Sequence, residues 1–508
     1  MYRRLGTLPP SFVGIFRTSW RMEYSVPATV DHPTIYALST PAGLKSAIAV
    51  IRISGTNSKY VYKKLTRTKK APLSHKASVR NLYDPTVHNE KSLLDNALTL
   101  FFEQPKTFTG EDVLELHVHG GKAVVSGVLK AIESLHDFEE GYQIRYAQPG
   151  EFSMRGFQNG KFDLTQVEGV GDLIDAETEI QRKSAICSFR GDTKVRFSIW
   201  REKIVANIAQ LAAVIDFGDD TEIDDIEMIV NGVNKTMLEL KQDIEQFLHK
   251  TQKSNILKSG IKLALLGPPN AGKSSLLNSI TNDETAIVSN TPGTTRDTID
   301  VPLDINGYKI IITDTAGIRS NAIDEIEVIG INRAKLKCAN SDIVLLLIDP
   351  TNRQLVLNDL KQYIREHIDG KKFVIVINKT DLLNEQQLKE IKTDLCLQFG
   401  PSVSIMGVSC LEKKGIDNLI HTLTDIFKDI SDSTDEDPIS VSKRVQEILK
   451  NDVLYGIDEF VHFAETNDVV MASESLGFAA DGIGKITGET VGVEEILGVV
   501  FSNFCVGK

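Results

Sequence analysis

Ile261-Lys262-Leu263-Ala264-Leu265-Leu266-Gly267-Pro268-Pro269-Asn270-Ala271-Gly272-Lys273-Ser274-Ser275 is the stretch whose reading decides the fold. An apolar run of strand character enters a glycine-rich turn, and a leucine-rich helix opens from Ser275. The spacing G-x-x-x-x-G-K-S lets backbone N–H groups close around phosphate oxygens. Lys273 adds a point charge at the β and γ phosphates, and Ser274 can ligate Mg²⁺. A ligand-free glycine turn between strand and helix is the rival reading of these residues taken alone.

Motifs farther along the chain, in a fixed order, remove that rival. Tyr308–Thr313 runs into Asp314-Thr315-Ala316-Gly317, where Asp314 can hold the Mg²⁺ shell and the Gly317 N–H can meet a γ-phosphate. Phe373–Ile377 runs into Asn378-Lys379-Thr380-Asp381. The Asp381 carboxylate can accept from both guanine N1–H and the 2-amino group, a donor pair that adenine lacks, which selects GTP over ATP. Ser409-Cys410-Leu411 falls where a loop would back the base. Thr291-Pro292-Gly293-Thr294-Thr295-Arg296-Asp297 lies between the first two motifs and offers a threonine for Mg²⁺. Ile318 stands where many GTPases place a water-orienting glutamine, so another group must align the nucleophile.

The chain of 508 residues is too long for one core, and 41% hydrophobic with 25% charged residues is globular composition. No apolar run is long enough to span a membrane. Cys187, Cys338, Cys396, Cys410 and Cys505 are scattered without a C-x-x-C pair, which argues against a disulfide framework and a thiolate zinc site. The net charge of −12 is uneven: residues 1–80 carry fourteen Lys/Arg against two Asp/Glu, leaving −24 for the remainder. A nucleic-acid partner is therefore compatible with the acidic total. The run Lys63-Lys64-Leu65-Thr66-Arg67-Thr68-Lys69-Lys70 reads as a solvated loop or as an RNA contact.

In chain order, residues 1–22 hold Arg3, Arg4, Arg17 and Arg21 and no acid, which is the composition of a mitochondrial transit peptide. Pro9, Pro10 and Gly14 oppose a helix there, as in an ordinary N-terminal tail. Residues 34–150 read as strands with one or two helices, including Ala47–Ile53 and the strictly alternating Asp112–His119. Glu115, His117 and His119 project from one face, as a metal triad or as a hydrogen-bonded polar surface. From Leu164 to Ile256 the apolar period becomes helical, with Gly218–Asp225 as an acidic, solvated joint. Residues 259–430 alternate strands and helices as a parallel α/β domain, with strands at Ile261–Leu266, Tyr308–Thr313, Ile343–Ile348, Phe373–Ile377 and Val403–Val408. The polar run Ser431–Pro438 is a linker, and helical spacing resumes at Val445, Ile448, Leu449, Val453 and Leu454. An α/β domain inserted into a helical one is the simplest organisation.

Longer matches carry a resemblance. They are Ala42-Gly43 through Ile51-Arg52-Ile53-Ser54-Gly55; Phe108-Thr109-Gly110-Glu111-Asp112-Val113-Leu114-Glu115-Leu116-His117; Pro149-Gly150-Glu151-Phe152; Asn159-Gly160-Lys161-Phe162-Asp163-Leu164; Gly293–Asp297; and the terminal Cys505-Val506-Gly507-Lys508. With these the chain resembles the MnmE (TrmE) family of tRNA-modifying GTPases, mitochondrial members included, over nearly all of its length after residue 33. Leu44-Lys45 departs from the family's Arg-Gly, and the second switch is about one residue longer than usual.

The resemblance implies an α/β and α multidomain chain. Residues 1–33 would be a transit peptide to the mitochondrial matrix, and 34–153 an α+β tetrahydrofolate-binding and dimerisation domain. Residues 154–258 and 431–508 would form a discontinuous helical domain, and 259–430 an inserted Ras-like P-loop GTPase domain. GTP would be held by Asn270, Ala271, Gly272, Lys273, Ser274, Ser275, Ser289, Thr294, Thr295, Asp314, Thr315, Ala316, Gly317, Asn378, Lys379, Thr380, Asp381, Ser409 and Cys410. It implies Mg²⁺ on Ser274 and Thr295, K⁺ on Asn270, Ser289, Thr291 and Thr294, and Glu327 aligning the hydrolytic water. Arg52, Glu115, Lys161 and Lys508 would bind a 5,10-methylene- or 5-formyl-tetrahydrofolate. Cys505 is a working thiol near that site or a small buried residue. The implied partners are tRNA, an FAD-bearing flavoprotein of the MnmG (GidA) type, and a second copy through the N-terminal and G domains. A ribosome-assembly GTPase without modification chemistry is the principal rival; a folate-binding protein with an incidental GTPase is a weaker one.

Overall fold

Alternation in the strand Val113–His119 drives Leu114, Leu116 and Val118 into a core and leaves Glu115, His117 and His119 on the opposite face. The computed structural model describes residues 32–87, 92–217, 223–267, 270–281, 286–288, 301–313, 341–352, 371–401, 403–431, 439, 441–489, 500–501, 504–505 and 507. Of the stretch read as a transit peptide, residues 1–33, all but His32 and Pro33 lie outside them. The chain divides into two units, one running to Arg155 together with the C-terminal residues from Cys505, the other Gly156–Phe504.

The first unit is a mixed α/β layer. Its strands are β1 (Thr34–Leu38), β2 (Ile48–Ser54), β3 (Ser78–Tyr83), β4 (Leu93–Phe102), β5 (Val113–His119) and β6 (Ile144–Tyr146), in the spatial order β3-β4-β5-β2-β1-β6. β1 and β6 run parallel; the other pairs are antiparallel. Helices α1 (Ser58–Thr66) and α2 (Lys122–Glu133) bury Val61, Leu65, Val128 and Ile132 with the sheet's Ile51, Ile53, Leu82 and Phe101. The β2–β5 register sets Arg52 directly opposite Glu115.

In the second unit, Asp163 and Thr178 each close a capping box that starts a helix: α4 (Leu164–Asp175) and α5 (Glu179–Arg190), which follow α3 (Glu151–Gln158). The long helices α6 (Asp192–Phe217) and α7 (Ile223–Ser259) follow. Of the joint Gly218–Asp225, read from sequence as solvated, residues 218–222 lie outside the described residues and Ile223–Asp225 open α7. Phe197, Trp200, Ile204, Met237, Leu240 and Ile244 share one core with Val445, Leu449, Val453, Ile457, Leu476 and Ile483. Helical segments on both sides of the nucleotide sheet in sequence therefore build a single hydrophobic layer. Arg444 fastens it, donating to Glu168 Oε1 at 2.9 Å and to the Lys485 and Ile486 carbonyls.

Among the described residues the nucleotide sheet has seven strands: β7 (Ile261–Leu266), β8 (Ala286–Val288), β9 (Val301–Ile305), β10 (Tyr308–Thr313), β11 (Ile343–Ile348), β12 (Lys372–Ile377) and β13 (Ser404–Gly407), ordered β13-β12-β11-β7-β10-β9-β8. β13 through β10 are parallel, and the apolar runs of the three middle strands β12, β11 and β7 are buried on both faces. β7 is central, so its carboxyl end, where the phosphate loop begins, lies between β10 and β11. That is where an open α/β sheet places its ligand.

Candidate functional site

Backbone conformation makes the phosphate loop. Asn270 and Gly272 have φ of 63° and 96°. A Cβ on Gly272 would collide with Asn378 Nδ2, so only glycine fits between the loop and the Asn378 segment. Asn378 Nδ2 donates to the Ala271 carbonyl at 2.8 Å and locks the two motifs together. Helix α8 (Lys273–Thr281) starts at once, so its N-terminal N–H groups and dipole face the loop's interior. Lys273 Nζ donates to the Gly267 carbonyl at 2.6 Å, which holds the ammonium over the loop it must serve.

The base side is built at the ends of β12 and β13. Lys379 sits at φ 55° and its Nζ lies 2.6 Å from Asp349 Oδ2, at the end of β11. Burial raises the Asp349 carboxyl, but the Lys379 ammonium and the Thr351 hydroxyl and amide outweigh it and hold the group below the usual carboxylate range. Thr380 N–H donates to the Val408 carbonyl, and the buried Ser409 donates through Oγ to Asp381 Oδ1 at 2.6 Å. That bond fixes one carboxylate oxygen and aims the group as a two-point acceptor. Cys410 packs against the sheet's core, and burial pushes its thiol up; it contributes shape rather than a thiolate.

In the first unit, Arg52 Nε donates to Glu115 Oε1 at 3.0 Å. The guanidinium carbon lies 5.8 Å from the Phe108 ring centre and 5.9 Å from that of Phe152. A charged pair between two rings suits a flat, polar-edged heterocycle. Beneath it, Arg155 bonds both Glu111 and Glu151, and Arg145 bonds Glu151 as well. Burial raises the Glu151 carboxyl, yet Arg145, the Gln148 amide and Arg155 bring it below the ordinary range. Ser39 Oγ donates to the Gly507 carbonyl at 2.9 Å, and Gly507 adopts φ 97° with no room for a Cβ against the Leu38 carbonyl. Ala37 pairs with Arg52 across β1 and β2, so the chain's end is seated one to two residues from the Arg52 rung. Cys505 is exposed there, not a small buried residue.

Two family models match. One described as the MnmE helical domain covers residues 164–505, and one described as the GTP-binding protein TrmE N-terminus covers residues 34–161. The chain belongs to the MnmE (TrmE) family of tRNA-modification GTPases, as a mitochondrial member. It is 53% identical over 496 residues, 95% of this chain and 94% of the other, to the tRNA modification GTPase MSS1, mitochondrial, of Saccharomyces cerevisiae. To the 5-taurinomethyluridine-[tRNA] synthase subunit GTPB3, mitochondrial, of Danio rerio it is 36% identical, covering 94% of this chain and 93% of that one. To the tRNA modification GTPase MnmE of Rickettsia akari it is 37% identical, covering 94% of this chain and all of the relative.

In this MnmE-family chain the structure brings Asn270, Ala271, Gly272, Lys273, Ser274 and Ser275 together with Asn378, Lys379, Thr380, Asp381, Ser409 and Cys410 around one sheet end. Ser289, Thr291, Thr294, Thr295, Asp314, Thr315, Ala316, Gly317, Glu327 and Lys508 lie outside the described residues. Lys161 belongs to the second unit, and Arg52 and Glu115 to the first. Glu115 is engaged by Arg52, and His119 by Asp95 at 2.7 Å; among the described residues no three His, Cys, Asp or Glu side chains are grouped for a metal. Asp349 was missed from sequence. Its only signal is an acid closing the buried strand Ile343–Ile348. No helix among the described residues is long and apolar enough to cross a membrane.

Proposed function

We propose that this chain is the GTPase subunit of a two-protein complex that modifies C5 of the wobble uridine in mitochondrial tRNAs. The group added is of the carboxymethylaminomethyl or taurinomethyl type, and the complex works in the mitochondrial matrix. The observation that carries the reading is the likeness to tRNA modification GTPases over 95% of the chain, which extends well beyond the nucleotide domain on both sides.

The proposal gives each group such a reaction needs to residues of this chain. Asp381, steadied by Ser409, chooses guanine; Lys273 and the α8 terminus meet the phosphates. Ser274 and Thr295 would hold Mg²⁺, which neutralises charge on the bridging oxygens. Asn270, held in a left-handed conformation at the loop's rim, would hold K⁺ with Ser289, Thr291 and Thr294, placing positive charge where the phosphoryl group is transferred. Glu327 would align the attacking water in place of a glutamine. The Arg52–Glu115 pair, with Lys161 and Lys508, would bind a tetrahydrofolate derivative, which supplies one carbon. FAD would reside on the MnmG-type partner. Cycles of GTP hydrolysis would open and close paired G domains in a homodimer and so gate the partner's chemistry.

Reconstitution tests this. The purified chain, an MnmG-type flavoprotein, a tRNA transcript, GTP, Mg²⁺, K⁺, a methylene-tetrahydrofolate to give the carbon and glycine or taurine to give the amine should yield a C5-substituted wobble uridine, lost when GTP is omitted. Unsubstituted uridine in the complete mixture would overturn it.

A further inference from the structure

From Lys59 to Tyr83 the sequence holds eight Lys/Arg and no Asp/Glu, within a chain of net charge −12. Neither the nucleotide site nor the Arg52 pair uses any of them. Lys59 is spent on Glu103 at 2.8 Å and Asp112 at 3.2 Å. Lys63, Lys64, Lys69, Lys70 and Lys76 are exposed and, among the described residues, have no carboxylate partner.

These lysines share one corner of the first unit because two arginines pin its elements together. Arg80 Nε donates to Tyr62 Oη at 3.1 Å, fastening edge strand β3 to α1. Arg67, in a left-handed conformation at the end of α1, lies 4.5 Å over the Tyr83 ring and donates to the Asp84 carbonyl and Ser92 Oγ. The connection carrying Lys69, Lys70 and Lys76 is strung between those pins. Two ordinary explanations cover part of the charge. Cations in the last turn of α1 complement its dipole, and a charged edge strand resists unwanted pairing. They account for Lys63, Lys64 and Arg80, and leave the three lysines of the connection unexplained.

We infer that the α1–β3 corner of the first unit, Lys63, Lys64, Lys69, Lys70 and Lys76, is a docking surface for an RNA phosphate backbone. The inference rests on the tRNA reading above and names the surface by which this chain would hold that substrate. A chain with this much negative charge repels a polyanion elsewhere, so local charge must supply the contact. RNA is favoured over a lipid surface because α1 turns its apolar residues Val61, Tyr62 and Leu65 inward, leaving no amphipathic helix face to insert. The cations instead sit on elements tied to a sheet, which suits a backbone of fixed phosphate spacing.

The test compares the full chain with its Lys63→Glu/Lys64→Glu/Lys69→Glu/Lys70→Glu form, and with the four-fold Gln form should charge reversal disturb folding. The probes are a tRNA transcript and, separately, phosphatidylserine–phosphatidylcholine vesicles, across a salt series. The salt slope of tRNA binding should fall by about three to four, and affinity at about 0.1 M salt by about a hundredfold or more. GTPase turnover and the melting transition should both remain those of the wild type; the first shows that the second unit is intact, and the second that the substituted first unit is. Equal slopes for wild type and variants would overturn the surface while leaving the modification reading standing. So would absence of tRNA binding by the wild type, or loss of vesicle binding alone. Failure of the reconstituted reaction with RNA binding intact would instead strike the modification reading.

Discussion

Lys379 Nζ lies 2.6 Å from Asp349 Oδ2, so the lysine of the guanine-recognition motif is held by an acid at the end of the neighbouring strand. β11 and β12 are parallel and register Ile348 against Ile377, so Asp349 lies one residue and Lys379 two residues beyond the paired strand ends. The pairing fixes Lys379 in its left-handed turn and so sets where Asp381 begins. Asp349→Asn keeps the shape and removes the charge. Because Lys379 is about a third exposed, the loss is on the order of 1 kcal/mol, or roughly fivefold in GTP affinity, with kcat nearly unchanged. Titration with a fluorescent guanine nucleotide measures it.

Asp381→Asn replaces one acceptor oxygen by a donor. Guanine's 2-amino group then meets another donor, whereas the 2-oxo group of xanthine meets a partner. GTP affinity should fall by about three orders of magnitude or more, and XTP should be hydrolysed instead. Competition between the two nucleotides reads this directly.

Glu151 and Arg155 are each only 3–4% exposed at the side chain and bond one another, with Arg145 and Glu111 completing the network. Glu151→Gln leaves Arg155 short of a buried counter-charge, which should cost about 3–5 kcal/mol of the first unit's stability. The Glu151 carboxyl is held below its ordinary range, so its contribution is complete above the unfolded glutamate value of about 4.3 and is lost as pH falls through the lower folded value. The gap between wild-type and variant melting temperatures should therefore be constant from about pH 7 to 5 and close only below about pH 4.

The proposed K⁺ site, Asn270 with Ser289, Thr291 and Thr294, carries its own prediction. GTPase turnover should be about tenfold or more faster in K⁺ than in Na⁺. Glu327→Ala should slow it comparably, with nucleotide affinity within about twofold of wild type. Equal rates in the two salts would remove the ion from the mechanism, and a normal rate in the variant would remove the glutamate.

Much of this was legible in the sequence because buried parallel strands leave unbroken apolar runs. Ile343–Ile348 and Ile261–Leu266 declare themselves, and each motif comes directly after its strand. The alternating face of Glu115 was equally plain. What it faced was not: the Arg52 partner comes from a strand 63 residues earlier and is fixed by sheet register, which periodicity does not encode. Asp349 followed by Pro350 reads locally as a turn. The seat of the C-terminus was also hidden, since a tail bonded to Ser39 across 468 residues leaves no local pattern. The start of α7 at Ile223 was not legible either, since the opening of a helix and the end of an acidic linker can have the same composition.

The central claim is that this GTP site serves modification of the wobble uridine. Mass spectrometry of mitochondrial tRNA from cells lacking the chain tests it most directly, with re-expression of the wild type or of Gly272→Ala, whose Cβ would strike Asn378. The C5 group on the wobble uridine should be missing, restored by the wild type and not by Gly272→Ala. Wobble uridines that keep their substituent in cells without the chain would contradict the claim and favour a role in ribosome assembly.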